Sequence, residues 1–264
     1  MIVIILAGGL GKRMHSSLPK VLHIINNKPM IYYAIRNAIS IGATKILIVV
    51  GKHKDIIKSK IDEYFQTPAT MLLNVSGSLQ NNSKIVYIDQ PEPLGTGHAI
   101  KCCMDYLITS QIPADMNILI LSGDVPLIKM STIESLLLKP NSILITETDT
   151  PKGCGRIIFN PDLTIKKIIE EKDCSDFERH IQFINCGVYN VTMYTLLNTI
   201  PHIKNNNKSA EYYLTDFVEI AQVDNIKLNH YILPTVQQYQ ISNINTMDDL
   251  VRANELLLIS SLSM

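Results

Sequence analysis

Residues 3–20, with the sequence VIILAGGLGKRMHSSLPK, contain the change of pattern that decides the fold of this chain. An aliphatic run at 3–6 stops abruptly at Gly8 and Gly9, and Gly11 follows two residues later. So short an apolar run between glycines is typical of a buried strand, because a helix needs more length. Successive main-chain N–H groups in a glycine-rich loop form a concavity that binds anions. Three cationic residues accompany the loop, namely Lys12, Arg13 and Lys20. The stretch therefore predicts a strand followed by a phosphate-binding loop.

Two common phosphate-binding motifs do not fit this loop. In a P-loop, Arg13 would have to be Ser or Thr and Leu6 would have to be the first glycine. In the dinucleotide fingerprint, the position of Met14 requires a third glycine. Pro19 also prevents a helix from following the strand closely. The loop therefore belongs to another class of phosphate-binding site.

The composition excludes several classes of protein. Lys and Arg number 24, as do Asp and Glu, so no net charge attracts nucleic acid or a membrane surface. The hydrophobic fraction of 46% supports a folded core, and no apolar run is long enough for a membrane span. Five cysteines without Cys-x-x-Cys spacing disfavour a disulfide framework and a structural zinc site. We expect a soluble cytoplasmic protein that binds neither nucleic acid nor membrane; the oligomeric state stays open.

The first half alternates strand and helix patterns. Apolar runs predict strands at 3–6, 45–50, 85–88 and 117–121, and helical spacing predicts helices at 30–41, 55–65 and 97–108. This alternation indicates an α/β fold with a doubly wound, mainly parallel, Rossmann-like sheet. Residues 66–83 interrupt it with Pro, Asn, Ser and Gly and predict an extended loop or hairpin. Ligands in such sheets bind beyond the carboxyl ends of the strands.

The second half is more irregular and predicts a smaller, mixed β part. Strands are expected at 142–148, 157–160, 165–170, 183–191 and 227–233, with the second and third of these paired. Helices are expected at 212–223 and 246–259. Thr246 is a candidate cap of the last helix, and the acidic Asp248 and Asp249 in its first turn favour the helix dipole.

Asp124 is the strongest candidate for metal binding. It directly follows a buried strand in the segment Ser122-Gly123-Asp124, at the same sheet edge as the glycine loop. Magnesium prefers oxygen ligands and takes one or two from protein, with phosphates and water completing its shell. An isolated Asp after a strand is more often a turn residue, so the position opposite the glycine loop carries the metal interpretation.

The segment 90–99, QPEPLGTGHA, opens the third predicted helix. Gly95 permits close approach of another group, Thr96 is a candidate helix cap, and the helix N-terminus favours anions. The segment resembles the base-binding motif of the sugar nucleotidyltransferases, which implies that Gln90 reads the imide edge of uracil; its amide offers the donor and the acceptor that this edge requires. The alternative is an ordinary helix start with His98 packed in the first turn, and His98 is given no catalytic role.

The glycine-rich stretch resembles the signature of the sugar-nucleotidyltransferase superfamily, Leu-Ala-Ala/Gly-Gly-x-Gly-x-Arg-Met followed by Pro-Lys. The match departs only at Lys12, where the family usually has Thr. The resemblance implies catalytic roles for Arg13, Lys20 and Asp124. It also implies a nucleotide-binding set of Leu6, Ala7, Gly8, Gly9, Lys20, Gln90, Gly95, Thr96, Ser122, Gly123 and Asp124. One nucleotidyltransferase domain over 1–264 is expected, with a nucleotide-binding half (1–128), a sugar-binding half (129–245) and a C-terminal helix (246–264).

Four later segments, at 153–157, 169–173, 184–188 and 210–216, resemble in order the motifs of the bacterial N-acetylglucosamine-1-phosphate uridylyltransferases. Carried over, the resemblance implies sugar contacts from Gly155, Glu170, Asn185 and Thr215, and Asn245 as a second ligand of Mg²⁺ beside Asp124. It implies UTP and N-acetylglucosamine 1-phosphate as substrates, with UDP-N-acetylglucosamine and pyrophosphate as products.

Several departures from that pattern leave alternatives open. Cys154 replaces a Tyr, Cys186 replaces a Thr, and Ala210 replaces a Gly. The chemistry could therefore serve another sugar phosphate or base, such as a thymidylyltransferase acting on glucose 1-phosphate. A catalytically silent homologue that binds a sugar nucleotide is the other alternative. Residues 66–83 look like an insertion, and the acetyltransferase half of the bacterial enzymes is expected to be absent.

Overall fold

The structure, a computed structural model, describes residues 1–9, 11–65 and 84–262. Its strands, numbered in chain order, are β1 Ile2–Leu6, β2 Ile24–Ile25, β3 Lys28–Pro29, β4 Lys45–Val50, β5 Lys84–Asp89, β6 Asn117–Ser122, β7 Ser142–Glu147, β8 Arg156–Phe159, β9 Ile165–Ile169, β10 Phe183–Thr192 and β11 Asn229–Leu233. Its α-helices are α1 Met30–Ser40, α2 Lys54–Phe65, α3 Thr96–Thr109, α4 Met130–Leu137, α5 Met193–Thr199, α6 Phe217–Val223 and α7 Met247–Leu262.

Strand β1 lies at the centre of a nine-stranded sheet of order β11-β7-β10-β6-β1-β4-β5, to which β8 and β9 are attached through β10. β1 pairs in parallel with β4 on one side and with β6 on the other. The strand order therefore reverses at β1, and the crevice beyond the carboxyl ends of β1 and β6 is the topological switch point. β10 runs antiparallel to both β6 and β7, which makes the second half of the sheet mixed.

Both faces of the sheet are covered, as the all-apolar sequence of β1 requires. Ile2 and Ile4 point into a core that contains apolar residues of α3, α5 and α6. Val3 and Ile5 point to the opposite face, where α1, α2 and α4 pack. A third, smaller core joins α7 to the β2–β3 hairpin. Leu127 and Ile244 also belong to it. Through this small core, the last helix is fixed close to the carboxyl end of β6.

The predicted fold class is confirmed, and most element predictions agree with the structure within two residues. The paired strands at 157–160 and 165–170 correspond to β8 and β9, which are antiparallel neighbours. The helix predicted at 212–223 is wrong in its first part, because Leu214–Asp216 forms a 3-10 turn and α6 begins only at Phe217. Helices α4 and α5 were not predicted. The loop predicted at 66–83 lies outside the described residues.

Candidate active site

The glycine loop is held against the ends of three parallel strands. The N–H of Ala7 donates to the carbonyl of Val49 at 2.9 Å, and the N–H of Gly123 donates to the carbonyl of Leu6 at 2.9 Å. Gly11 has φ of 58°, and a Cβ built there would lie 2.8 Å from the Cβ of Lys20. Only glycine fits this left-handed position at such close approach. The loop therefore folds back so that Lys20 lies at the carboxyl end of β6.

Three predicted functional residues meet at one point. The Nζ of Lys20 lies 2.5 Å from Oδ2 of Asp124 and donates to Oδ1 of Asn245 at 2.6 Å. Lys20 and Asn245 are 225 positions apart in the chain. The hydroxyl of Ser122 donates to the other carboxylate oxygen, Oδ1 of Asp124, at 2.6 Å and fixes the orientation of the carboxylate.

The start of α7 positions Asn245. The N–H of Ile244 donates to the carbonyl of Asp124 at 3.0 Å, which ties the two segments together directly. Oδ2 of Asp249 accepts from the N–H groups of Asn245 and Thr246, and the hydroxyl of Thr246 accepts from the N–H of Asp249. This reciprocal arrangement is a capping box, and it confirms Thr246 as the predicted cap. Burial raises the pKa of Asp249, but the N–H groups of Asn245 and Thr246 lower it below its ordinary value overall.

The oxygens of Asp124 and Asn245 fit a hard divalent cation. Both approach the same position, which a cationic group, the Lys20 ammonium, occupies in this structure. Among the residues that the structure describes, no three His, Cys, Asp or Glu side chains gather into a metal site. One carboxylate and one amide oxygen are nevertheless enough for magnesium when phosphates and water supply the other ligands.

The predicted base-binding segment surrounds Gln90. Its side chain is buried, and Nε2 donates to the main-chain carbonyl of Gly95 at 3.0 Å. Gly95 has φ of 110°, and a Cβ there would meet the carbonyl oxygen of Tyr212 at 2.5 Å. The prediction that Thr96 caps α3 is wrong: its hydroxyl accepts from the N–H of Leu214 at 3.0 Å, while Gly95 is at the cap position. Thr96 instead links the base-binding segment to the 3-10 turn at Leu214–Asp216.

Two adjoining cavities contain nearly all predicted site residues. The first, of about 310 Å³, is lined by members of the predicted nucleotide-binding set, namely Leu6, Ala7, Gly8, Gly9, Lys20, Gln90, Gly95, Thr96, Ser122 and Asp124. The second, of about 670 Å³, is lined by all four predicted sugar contacts and by Arg13 and Asn245. We call them the nucleotide cavity and the sugar cavity. Gly123 lines neither; its N–H instead holds Leu6 in place.

The predicted sugar contacts form one cluster. The hydroxyl of Thr215 donates to Oε1 of Glu170 at 2.9 Å. A Cβ built on Gly155 would lie 3.5 Å from the same carboxylate oxygen and 3.6 Å from the Cβ of Asn185. The amide of Asn185 is oriented from both ends, because Nδ2 donates to the hydroxyl of Tyr189 and Oδ1 accepts from the N–H of Gly187. Burial raises the pKa of Glu170 above its ordinary value, and the hydrogen bond from Thr215 partly opposes this effect.

Sequence reasoning missed several residues that line the cavities. Glu211 lines the nucleotide cavity, and Gln238, Ser242 and Asn243 line the sugar cavity. Glu211 lies inside the segment 210–216, where the motif gave a signal. Ser242 and Asn243 lie just before the predicted ligand Asn245, in a segment where both depart from the Glu-Gly-Val-Asn pattern of the family, and Gln238 had no such signal. Arg13 is exposed and lines the sugar cavity rather than the nucleotide cavity.

Comparison with known proteins identifies the family of this chain. Residues 3–153 match the family described as the MobA-like NTP transferase domain. Over 255 residues, the chain is 40% identical to a protein of Acanthamoeba polyphaga mimivirus named "Probable UDP-N-acetylglucosamine pyrophosphorylase", with 94% of this chain and 92% of that protein covered. The chain belongs to the UDP-N-acetylglucosamine pyrophosphorylase family. The predicted enzyme class, a sugar-1-phosphate nucleotidyltransferase, is thereby confirmed.

Bacterial relatives of this chain include longer proteins. The chain is 34% identical over 260 residues to the bifunctional protein GlmU of Geotalea uraniireducens, covering 96% of this chain but 52% of GlmU. It thus spans about half the length of that relative. A UDP-glucose pyrophosphorylase solved with UDP-glucose has the same fold, with a TM-score of 0.74 at 20% identity over 98% of both chains. Within residues 1–9, 11–65 and 84–262, no helix has the length and apolar character needed to cross a membrane.

Proposed function

We propose that the enzyme joins UTP and N-acetylglucosamine 1-phosphate to give UDP-N-acetylglucosamine and pyrophosphate. The observation that carries the proposal is the junction of the two cavities. Leu6, Thr96, Ser122 and Asp124 line both of them, so a nucleotide in one and a sugar phosphate in the other would meet there. The name of the mimivirus relative, together with the ordered motifs of the second half, supports this pair of substrates.

In the proposed reaction, a phosphate oxygen of the sugar phosphate attacks the α-phosphorus of UTP. The bond from this phosphorus to the oxygen that bridges to the β-phosphorus breaks, and pyrophosphate leaves. Because the attacking oxygen is already anionic, no general base is needed. Catalysis then consists of alignment and charge stabilisation. The two cavities supply the alignment by holding the reacting groups in adjoining spaces that are both lined by Asp124.

Lys20 and Arg13 provide the cationic groups for this step. Lys20 donates charge-assisted hydrogen bonds to the transferring group and to the leaving pyrophosphate. To do so, its ammonium has to leave Asp124 and Asn245, and the phosphates provide its new partners. Arg13, exposed on the wall of the sugar cavity, is positioned to neutralise the incoming sugar phosphate.

The departure of Lys20 frees the oxygens of Asp124 and Asn245 to hold Mg²⁺, the cofactor proposed here. When bound, the cation supplies Lewis acidity and a clamp for both phosphates. The role of the chain is to keep the two oxygens fixed through Ser122 and through the cap of α7.

Pyrophosphate release from UTP plus N-acetylglucosamine 1-phosphate, measured with and without magnesium, tests the proposal. We expect turnover that needs both substrates and the cation. Parallel reactions with CTP, ATP, GTP, dTTP and several sugar 1-phosphates test the alternatives, since Cys154 and Cys186, which differ from the bacterial pattern, line the sugar cavity. Faster turnover of dTTP with glucose 1-phosphate would replace the proposed substrates. If no pair of substrates released pyrophosphate, the alternative of a catalytically silent homologue that binds a sugar nucleotide would be favoured.

A further inference from the structure

The amide of Gln90 is fixed in one orientation by two partners. Its Nε2 donates to the carbonyl oxygen of Gly95 at 3.0 Å and lies 3.3 Å from Nδ1 of His98. Since a carbonyl oxygen only accepts hydrogen bonds, the group beside Gly95 has to be the NH₂ of the amide. Its second hydrogen then faces the imidazole. Both amide donors are therefore used inside the protein.

This arrangement also fixes the tautomer of His98. Its Nδ1 has to accept from Gln90, so in the neutral ring the hydrogen is on Nε2. That Nε2 lies 3.9 Å from the Sγ of Cys102, which is a weak acceptor one helical turn further along α3. The three side chains form a chain of hydrogen bonds with one direction: Cys102 accepts from His98, and His98 accepts from Gln90.

With both donors used, Gln90 presents only its Oε1 to a ligand. This oxygen faces Gly8, where a built Cβ would lie 2.6 Å away, and Gln90 lines the nucleotide cavity between Gly8 and Gly95. A lone acceptor matches the N3–H of uracil, which is a donor. It opposes cytosine, whose N3 has no hydrogen and is itself an acceptor. Pairing two acceptors in a buried site is costly.

We infer that His98 is a positioning residue that makes the site select uracil over cytosine by holding the Gln90 amide with its oxygen toward the base. The inference rests on the proposed function, because it takes Gln90 as the contact of the base. His98 itself need not touch the nucleotide. Its ring also lies 6.1 Å from that of Tyr212, a contact that an apolar side chain could replace.

Leucine and asparagine at position 98 separate positioning from packing. Leucine and asparagine resemble each other in size and shape, but only asparagine keeps a hydrogen-bond acceptor near the position of Nδ1 of His98. In His98→Leu, we expect the ratio of kcat/KM for UTP to that for CTP to fall about tenfold, the value of one net hydrogen bond. The fall should come mainly from KM for UTP, with KM for the sugar phosphate unchanged. His98→Asn should restore the ratio to within about twofold.

Two internal controls accompany these variants. Thymine has the same N3–H edge as uracil, so the ratio of UTP to dTTP should not change in any variant. His202→Leu, at an exposed histidine outside both cavities, should leave every ratio unchanged. An unaltered UTP to CTP ratio in His98→Leu, or an equal loss in both position-98 variants, would overturn the inference.

The wild-type protein provides a test that does not depend on the folding of a variant. Nitrogen-15 NMR of labelled histidine, with His98 assigned through His98→Asn, should show a protonated Nε2 and an unprotonated Nδ1 in the neutral ring. The opposite tautomer would contradict the inference. Failure of the proposed function would look different, because the wild-type enzyme would then not prefer UTP at all.

Discussion

The nucleotide cavity and the sugar cavity are built in different ways. The nucleotide cavity is lined in part by glycines, since the loop at Gly8 and Gly9 and the turn at Gly95 both contribute to its wall. The sugar cavity is walled by side chains from segments far apart in the chain, including Glu170, Asn185 and Thr215. The shape of the nucleotide cavity therefore depends on positions such as Gly95 where only glycine fits, whereas the sugar cavity depends on side chains that single replacements can change. We expect replacements at the glycines of the nucleotide cavity to disturb folding as well as UTP binding, and replacements in the sugar cavity to change sugar binding alone.

The largest expected effect lies at the junction of the two cavities. Lys20→Ala should lower kcat on the order of 10², because a cation that stabilises the developing charge is lost. Steady-state pyrophosphate release measures it, with Lys166→Ala, at an exposed lysine of β9, as the matched control. A Lys20→Ala enzyme with near-normal kcat would remove Lys20 from the chemistry and leave the junction without its central cation.

The close approach of the chain at Gly95 predicts the next effect. Gly95→Ala should lower the free energy of unfolding by about 1–3 kcal/mol and raise KM for UTP, because φ of 110° is strained for alanine and its Cβ would meet Tyr212 at 2.5 Å. Denaturant titration and kinetics measure the two quantities. Gly42→Ala is the control, since φ is 73° there but nothing lies within 4 Å of the added Cβ. If both variants behave alike, close approach at Gly95 does not shape the site.

Thr215→Val tests the contribution of side chains to the sugar cavity. The change keeps the shape but removes the hydroxyl that donates to Glu170 at 2.9 Å. We expect KM for the sugar phosphate to rise about tenfold, with KM for UTP unchanged, since the half-buried carboxylate of Glu170 loses its donor. Thr199→Val, which removes a buried hydroxyl bonded within its own helix, is the control. An equal rise in both KM values would show that the two cavities are not independent.

The contacts of Lys20 with Asp124 and Asn245 predict that its ammonium competes with the divalent cation. Lys20→Met should increase the affinity of the nucleotide-free protein for Mg²⁺ or Mn²⁺ about fivefold, because the ammonium no longer competes for the oxygens of Asp124 and Asn245. Isothermal titration calorimetry measures this directly. In Asp124→Asn carrying the same change, the gain should vanish. Equal affinities for wild type and Lys20→Met would contradict the shared position.

The smallest effect is a pH-dependent change in the free energy of unfolding that we assign to Asp216. Burial, with neighbouring carboxylates including Glu170, raises the pKa of Asp216 from 3.8 to about 6. The raised pKa means that ionisation of Asp216 opposes folding: the penalty begins above 3.8 and is complete above about 6. Asp216→Asn should therefore stabilise the protein more at pH 8 than at pH 5, by about 1 kcal/mol. Thermal unfolding at the two pH values measures this difference, and an equal shift at both would contradict the raised pKa.

Features that depend on local sequence could be predicted, whereas contacts between distant segments could not. β4 agrees with its prediction at both ends, because an apolar run between polar turns depends only on local pattern. The short helix α5 was missed because its seven residues offer too little periodicity. The cap assigned to Thr96 was wrong because Leu214, distant in the chain, supplies the N–H that the hydroxyl accepts.

The same distinction between local pattern and distant contacts applies to the predictions for the site. The structure brings the predicted nucleotide and sugar residues to two adjoining cavities, since motifs mark positions at strand ends. The ion pair of Lys20 with Asp124 and the hydrogen bond to Asn245 could not be predicted, because they depend on how α7 packs beside β6. The orientation of Gln90 was missed for a similar reason: His98 has a role through its tautomer, which no sequence pattern records.

A crystal structure of the protein with UDP-N-acetylglucosamine and Mg²⁺ tests the central claim most directly. We predict uracil against Oε1 of Gln90, the diphosphate at the glycine loop, and the sugar beside Glu170 and Asn185. Lys20 should have moved from Asp124 and Asn245 to the phosphates. A sugar nucleotide bound elsewhere, with Lys20 still paired to Asp124, would contradict the account.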